Sequence, residues 1–225
     1  MNNFYPFVLK ETLRLLSMQK QTADVTFLNK VEELYEKLIA SAAPKSLSAR
    51  VPVTIKNDTV KFASYTVNSE SLAKLLKNCS FCLLIATTLG SNVDTLISRT
   101  QIEDMSDAVI LDALASSPAD LLCDMEEASE AKKLSENEYL TMRFSPGYGD
   151  VPLIASEGIL EILNAKKRIG MGLTESSMLI PIKSVTAFIG ISDRKEHRGL
   201  SCDSCSIADR CLYRKRGDFC GIRNK

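Results

Sequence analysis

The chain contains no tryptophan, only one histidine, no net charge and no long apolar run. Each shortage removes a class of function. With 28 Lys+Arg set against 28 Asp+Glu, there is no basic excess of the kind that holds nucleic-acid phosphates, so a generic nucleic-acid binder is not expected. No stretch of 18 apolar residues occurs, so no membrane-spanning helix is expected. The opening residues carry Lys10, Glu11 and Arg14 where a signal peptide needs its apolar segment, which makes the cytoplasm the expected location. The single histidine, His197, stands in a basic, polar stretch and reads as a solvated side chain or incidental ligand rather than a general base. What remains is 225 residues, 45% of them hydrophobic. That suits one domain, or at most two small ones, with about 70% of the unfolded surface buried. Seven cysteines, gathered toward the C-terminal end, suit a reducing compartment and metal or redox chemistry better than a disulfide framework.

Hydrophobic spacing predicts the elements. Leu9, Leu13 and Leu16 give a first amphipathic helix over residues 4–17, and Leu28, Val31, Leu34, Tyr35 and Leu38 a second over 24–42. Residues 50–55 are β-prone, Asn57 and Asp58 sit where a turn belongs, and Val60 to Phe62 follow as a partner. Pro52 places that first strand at an edge or a bulge. Residues 69–76 read as a short helix, and 81–86 as a strand covered on both faces. A helix carrying Val93, Leu96 and Ile97 comes next, then a largely apolar helix from Met105 to about Ala115, with a kink or restart at Pro118. Residues 129–140 read as a charged surface connection, 154–163 as a helix and 185–191 as the last strand. Helices and strands mix without a regular βαβ alternation, so the class is α+β. Composition shifts at Ser192, dividing the chain into a domain over 1–191 and a Cys-rich tail over 192–225.

Two segments carry chemistry. In Arg143-Phe144-Ser145-Pro146-Gly147-Tyr148-Gly149-Asp150, proline and two glycines make a tight turn, and Gly147 allows close backbone approach. Arg143 presents a planar fork suited to a carboxylate, and Tyr148 a ring with a hydroxyl. An ordinary β-turn with a surface arginine is the plain alternative. In the second segment a Thr174-Glu175-Ser176 cluster precedes an apolar run that leads to Pro181. Glu175 there contacts a cationic ligand or caps a turn, capping being the commoner role.

Taken together, Arg-x-x-x-Gly-Tyr (143–148), Leu-Thr-Glu-Ser 25 positions after Tyr148, and Pro-x-x-Ser-Val (181–185) resemble the activation (reactivation) domain of cobalamin-dependent methionine synthase. The resemblance spans roughly residues 80–191, and this chain looks like a stand-alone form. It implies a mixed, mainly antiparallel twisted sheet with flanking helices. It implies a component of a methyltransferase that binds S-adenosylmethionine and supports reductive methylation of cob(II)alamin, hence methionine biosynthesis. Carried over, Arg143 holds the methionyl end, Gly147 and Tyr148 line the pocket, and Phe144 and Pro146 form its wall. Asp120 falls where the family has a glutamate on the preceding long helix. A purely local alternative makes Ser117 a helix cap, Pro118 the first helical residue and Asp120 the acid of a capping box. The Asp-x-His-x-x-Gly signature of a corrinoid module is absent, so cobalamin is expected on a partner methionine synthase or another corrinoid protein.

The tail has its own signal. Cys202-x2-Cys205-x5-Cys211-x8-Cys220 gathers four thiolates that can close around Zn²⁺ or an iron–sulfur cluster. The segment is poor in apolar residues, and metal would supply the missing folding free energy. The plain alternative is free reduced thiols. Arg210, Arg214, Lys215 and Arg216 beside the cysteines suit an acidic flavodoxin or ferredoxin as electron donor. A competing function is therefore a metal- or iron–sulfur-binding electron-transfer accessory for a corrinoid methyltransferase; a docking scaffold that binds neither ligand nor metal is a third. The familiar activation domain instead ends in a tyrosine-containing segment that meets the ligand. Cys79 and Cys82 are placed on opposite strand faces as inert thiols, and Cys123 in the core.

Overall fold

A computed structural model describes residues 4–18, 24–195 and 208–215. Helices α1 (Tyr5–Leu15) and α2 (Val25–Ser41) form where the 3.6-residue period placed them. Asp24 caps α2, its carboxylate accepting from the Phe27 N–H at 2.7 Å. In α1 the fully buried line is Val8 and Thr12, with Leu9, Leu13 and Leu16 half-buried beside it. Thr12 is tolerated there because its hydroxyl donates to the Val8 carbonyl at 2.8 Å.

The strands are β1 (Lys45–Lys56), β2 (Thr59–Phe62), β3 (Tyr65–Asn68), β4 (Cys79–Thr88), β5 (Tyr139–Leu140) and β8 (Ser184–Ser192). They form one six-stranded sheet in the order β3-β2-β1-β4-β8-β5. β6 (Gly172–Leu173) and β7 (Leu179–Ile180) make a separate hairpin. Every ladder among the described residues is antiparallel. The α+β class and the mainly antiparallel sheet stand as expected. The placing of Pro52 needs correction. β1 lies inside the strand order, yet it pairs with β4 only up to Pro52 and with β2 only from Val53. Proline sits at the changeover, where the missing N–H does least harm.

The central strands are buried on both sides, which explains their continuous apolar runs. Leu83 and Ile85 of β4 join Ala187, Ile189 and Ile191 of β8 on one face. Leu84 and Ala86 join Phe188 on the other, over α3 (Glu70–Leu76), α6 (Ser156–Ile162) and α7 (Ala165–Ile169). A register slip between Cys79 and Phe81 makes Ser80 an extra residue. Cys79 and Cys82 therefore reach the same core rather than opposite faces. Burial pushes the Cys82 thiol far above its ordinary range, in keeping with an inert role.

Helix α4 (Ser91–Glu103) leads into α5 (Met105–Ala131), 27 residues that continue unbroken through Pro118. The restart does not occur, and with it goes the reading of Ser117 and Asp120 as a local cap. Burial overrides the local rule. Leu111, Leu114, Ala115 and Ala119 fill a helical core with α1, α2 and α4, while Cys123 faces the sheet. One turn before Pro118 the nearly buried Lys183 ammonium braces the helix, 2.9 Å from the Asp112 carbonyl, 2.8 Å from its carboxylate and 3.2 Å from the Ser116 hydroxyl. Residues 129–131 close α5, and 132–138 connect it to β5.

Gly190 tests the packing at the end of the sheet. A methyl there would stand 2.5 Å from Cys79 Sγ, 2.8 Å from Leu76 Cδ2 and 2.9 Å from Thr141 Cγ2. Three converging neighbours leave no easy relief. Gly190→Ala is expected to destabilise the fold by about 1–3 kcal/mol, read as a lowered urea midpoint with unchanged slope.

Candidate functional site

The Arg143 segment leaves β5 along the edge of the sheet. Thr141 N–H donates to the Gly190 carbonyl at 2.9 Å, and Phe144 exchanges both backbone hydrogen bonds with Phe188 at 2.9 and 2.8 Å. The Phe144 ring is buried, and Tyr148 lies edge-on to it, centroids 6.0 Å apart. The chain then reverses. Tyr148 N–H donates to the Ser145 carbonyl at 3.1 Å across Pro146 and Gly147, and Gly147 has φ +94°. Proline followed by glycine at positive φ is the pattern of a type II turn. Gly147 N–H and Val151 N–H close a second ring, donating to Val151 and Tyr148 carbonyls at 2.8 and 3.0 Å. The turn presents Tyr148, 49% exposed, above a fixed base.

Asp150 rivets this turn to α3. Its carboxylate accepts from the Ser69 hydroxyl at 2.5 Å and from the N–H groups of Glu70 and Ser71 at 2.7 and 3.1 Å. The aspartate comes from 80 residues away in sequence. Partial burial opposes the charge, but these donors prevail and hold the carboxyl down at about 2.

Arg143 points across to α5. Its Nη1 lies 2.6 Å from Asp124 Oδ1 and 3.9 Å from Glu127, and its Nη2 lies 3.8 Å from Asp120. Asp120, Asp124 and Glu127 follow at i, i+4 and i+7, which puts them on one helical face. That spacing was legible in the sequence as an acidic stripe, though only Asp120 was singled out there. Burial opposes the Arg143 charge, while the surrounding groups, the Asp124 carboxylate among them, raise its pKa further, so the guanidinium stays charged. The local balance is one cation against three carboxylates. Cys123, one turn inward, is fully buried, its thiol pushed up to about 12, so it offers no nucleophile. Such a site presents one cation and three carboxylates to a charged ligand.

The residues expected at the site are thus only partly brought together. Asp120 and Arg143 meet, and Phe144, Pro146, Gly147 and Tyr148 share one turn. Glu175 lies exposed in the turn of the β6–β7 hairpin, and Thr174 closes that turn by accepting from Met178 N–H at 3.0 Å. Three of the tail cysteines (Cys202, Cys205 and Cys220), and His197, lie outside the described residues. Cys211 is described, half-buried between a 3-10 turn (Ala208–Arg210) and α8 (Leu212–Lys215). Tyr213 of α8 accepts from Arg14 of α1 at 3.1 Å. Among the described residues no group of three His, Cys, Asp or Glu could hold a metal, and no helix is long and apolar enough to cross a membrane.

Comparison with known proteins gives two positive findings. Residues 122–203 match the family described as vitamin B12 dependent methionine synthase, activation domain. Among solved structures, a crystal structure of the MetH reactivation domain bound to AdoHcy superimposes with a TM-score of 0.60 at 17% identity, covering 96% of this chain and 81% of that one. No curated protein matches.

The Asp150 rivet has a defined pH signature. An unfolded aspartate titrates near ~3.9, and here the folded value is about 2. The contribution is therefore complete above roughly pH 4 and is lost as pH falls from there toward about 2. The gap in urea midpoint between wild type and Asp150→Ala should be constant near neutrality and should shrink steadily below about pH 4.

Proposed function

We propose that this chain, which has the fold of the methionine synthase activation domain and matches that family over residues 122–203, binds S-adenosylmethionine at the Arg143 turn. In this reading it serves reductive methylation of cob(II)alamin held by a partner methionine synthase or other corrinoid protein. The observation that carries it is Arg143 standing at the head of a Pro146–Gly147 turn and facing a row of carboxylates on α5. The donor set suits the ligand. A guanidinium matches its carboxylate in a bidentate way, and carboxylates match its ammonium and sulfonium. Asp120, the most exposed of the three acids at 67%, is the one best placed to meet an incoming cation. Tyr148 gives an exposed ring for the nucleoside. Phe144 supports the turn from beneath, and Pro146 sets its shape. Glu175 joins the site in this proposal by resemblance to the family.

When bound, S-adenosylmethionine supplies an electrophilic methyl group on a sulfonium, and the cobalt that accepts it comes with the partner after a one-electron reduction. This chain's own residues hold and orient the ligand and carry no acid or base for the step, so positioning is their whole contribution. We propose the tail over 192–225 as an appended unit in which Cys202, Cys205, Cys211 and Cys220 hold zinc or an iron–sulfur cluster, with flavodoxin or ferredoxin as electron donor. The chemistry of four thiolates supports this, and the second reading, a metal-dependent electron-transfer accessory, draws on the same spacing.

Calorimetric titration of the purified chain is expected to show S-adenosylmethionine binding, weakened about tenfold or more in Arg143→Ala. Unchanged affinity in that variant would remove the assignment. Anaerobic purification followed by iron, sulfide and zinc analysis is expected to find metal that Cys205→Ser lowers. A colourless, metal-free protein that still binds the ligand would defeat the accessory reading.

A further inference from the structure

Arg143 is already occupied. Of the three acids facing it, Asp124 alone is in hydrogen-bond contact, at 2.6 Å, with Asp120 and Glu127 at 3.8 and 3.9 Å. The Arg143 side chain is only 19% exposed, so little of the guanidinium is open to solvent. A ligand carboxylate approaching that Nη1 edge meets the Asp124 carboxylate on the same donor, and two like charges in one contact repel. Asp124 belongs to a helix fixed by burial on two sides, and Arg143 to a strand edge fixed by the Phe144 ladder. What can change at low cost is the ion pair between the two side chains.

We infer that Asp124 is an internal competitor for the ligand's carboxylate: it masks Arg143 in the free protein and yields that guanidinium on binding. This rests on Arg143 being the ligand-binding arginine. The exchange trades one charge-assisted hydrogen bond for another, so Asp124 offsets part of the affinity that the Arg143 contact supplies. The carboxylate that gives way remains one turn of α5 from Asp120, beside the place where cationic groups of a zwitterion would sit. Asp124 thereby lowers the affinity for ligands that bring a carboxylate, while the more exposed Asp120 is left to meet their cation. A residue that only positions Arg143 would act with the opposite sign, because losing it would weaken binding.

The test uses the whole chain as wild type, Asp124→Asn and Asp124→Ser, the second variant guarding against a local defect in the first. Without ligand, the rate at which phenylglyoxal modifies Arg143 is followed by peptide mass spectrometry. Affinities are then measured for S-adenosylmethionine and for methylthioadenosine, which has no carboxylate. Both variants are expected to speed modification about fivefold or more and to bind S-adenosylmethionine roughly threefold to tenfold tighter, with methylthioadenosine unchanged. Weaker S-adenosylmethionine binding in both variants, or equal gains for both ligands, overturns the competitor role. Unchanged modification overturns the masking while leaving wild-type ligand binding to stand on its own. Faster modification with no binding by any of the three proteins keeps the masking and removes the assigned ligand, and with it the competition.

Discussion

Everything at the site depends on α5 having to bury two sides at once. One side carries Leu111, Leu114, Ala115 and Ala119 into the helical core, and the other sends Cys123 onto the β4–β8 face. Each buried leucine contributes about 1.5–3 kcal/mol, enough together to outweigh the loss of one ladder hydrogen bond at Pro118. With two sides committed, Asp120, Asp124 and Glu127 share a strip that neither buried side takes. On that strip all three face the strand edge that brings Arg143. A helix restarted at Pro118 would not keep those three acids in one line.

The receiving side is as firmly set. Phe144 is fixed by its ladder to Phe188 and by a buried ring, and the turn beyond it by three backbone bonds. Binding at such a place needs no folding of a loop. Preformed backbone leaves side-chain exchange as the main adjustment, which keeps the entropy of ordering low. A part-buried ion pair is a sensible resting state for the arginine, since a guanidinium left unpaired at that depth would be costly.

Much of this was legible from residues alone. Val31, Leu34, Tyr35 and Leu38 declared α2, the unbroken apolar run of 81–86 declared a strand covered on both faces, and the Pro146–Gly147 pair declared its turn. Three features were not legible, for distinct reasons. Pro118 is a local breaker, and only the tertiary burial of its neighbours keeps the helix whole. Ser80 gives no compositional sign of an extra residue, so Cys79 was assigned to the wrong face. Asp150 caps a helix that begins 80 residues earlier, a relation no local window contains. At the site, the acids at 120, 124 and 127 had the spacing of a helical face, but choosing the one that touches Arg143 required coordinates. The hairpin bearing Glu175 was recognised as polar before an apolar run, without any indication of where it would lie.

The changeover at Pro52 also shapes how the molecule is tied together. The β2–β3 corner is hydrogen-bonded to the sheet along the last few residues of β1, and α3, which follows it, packs on the core beneath β4 and β8. Asp150 adds a further tie from the opposite rim, reaching the start of α3 from the turn that follows the β8 edge. Covalent chain and carboxylate together complete a circuit: out along β1, round the corner, across the rivet and back through β8 and β4. The turn that bears Tyr148 is one link of that circuit, so whatever seats upon it pulls on a closed frame rather than on a dangling arm.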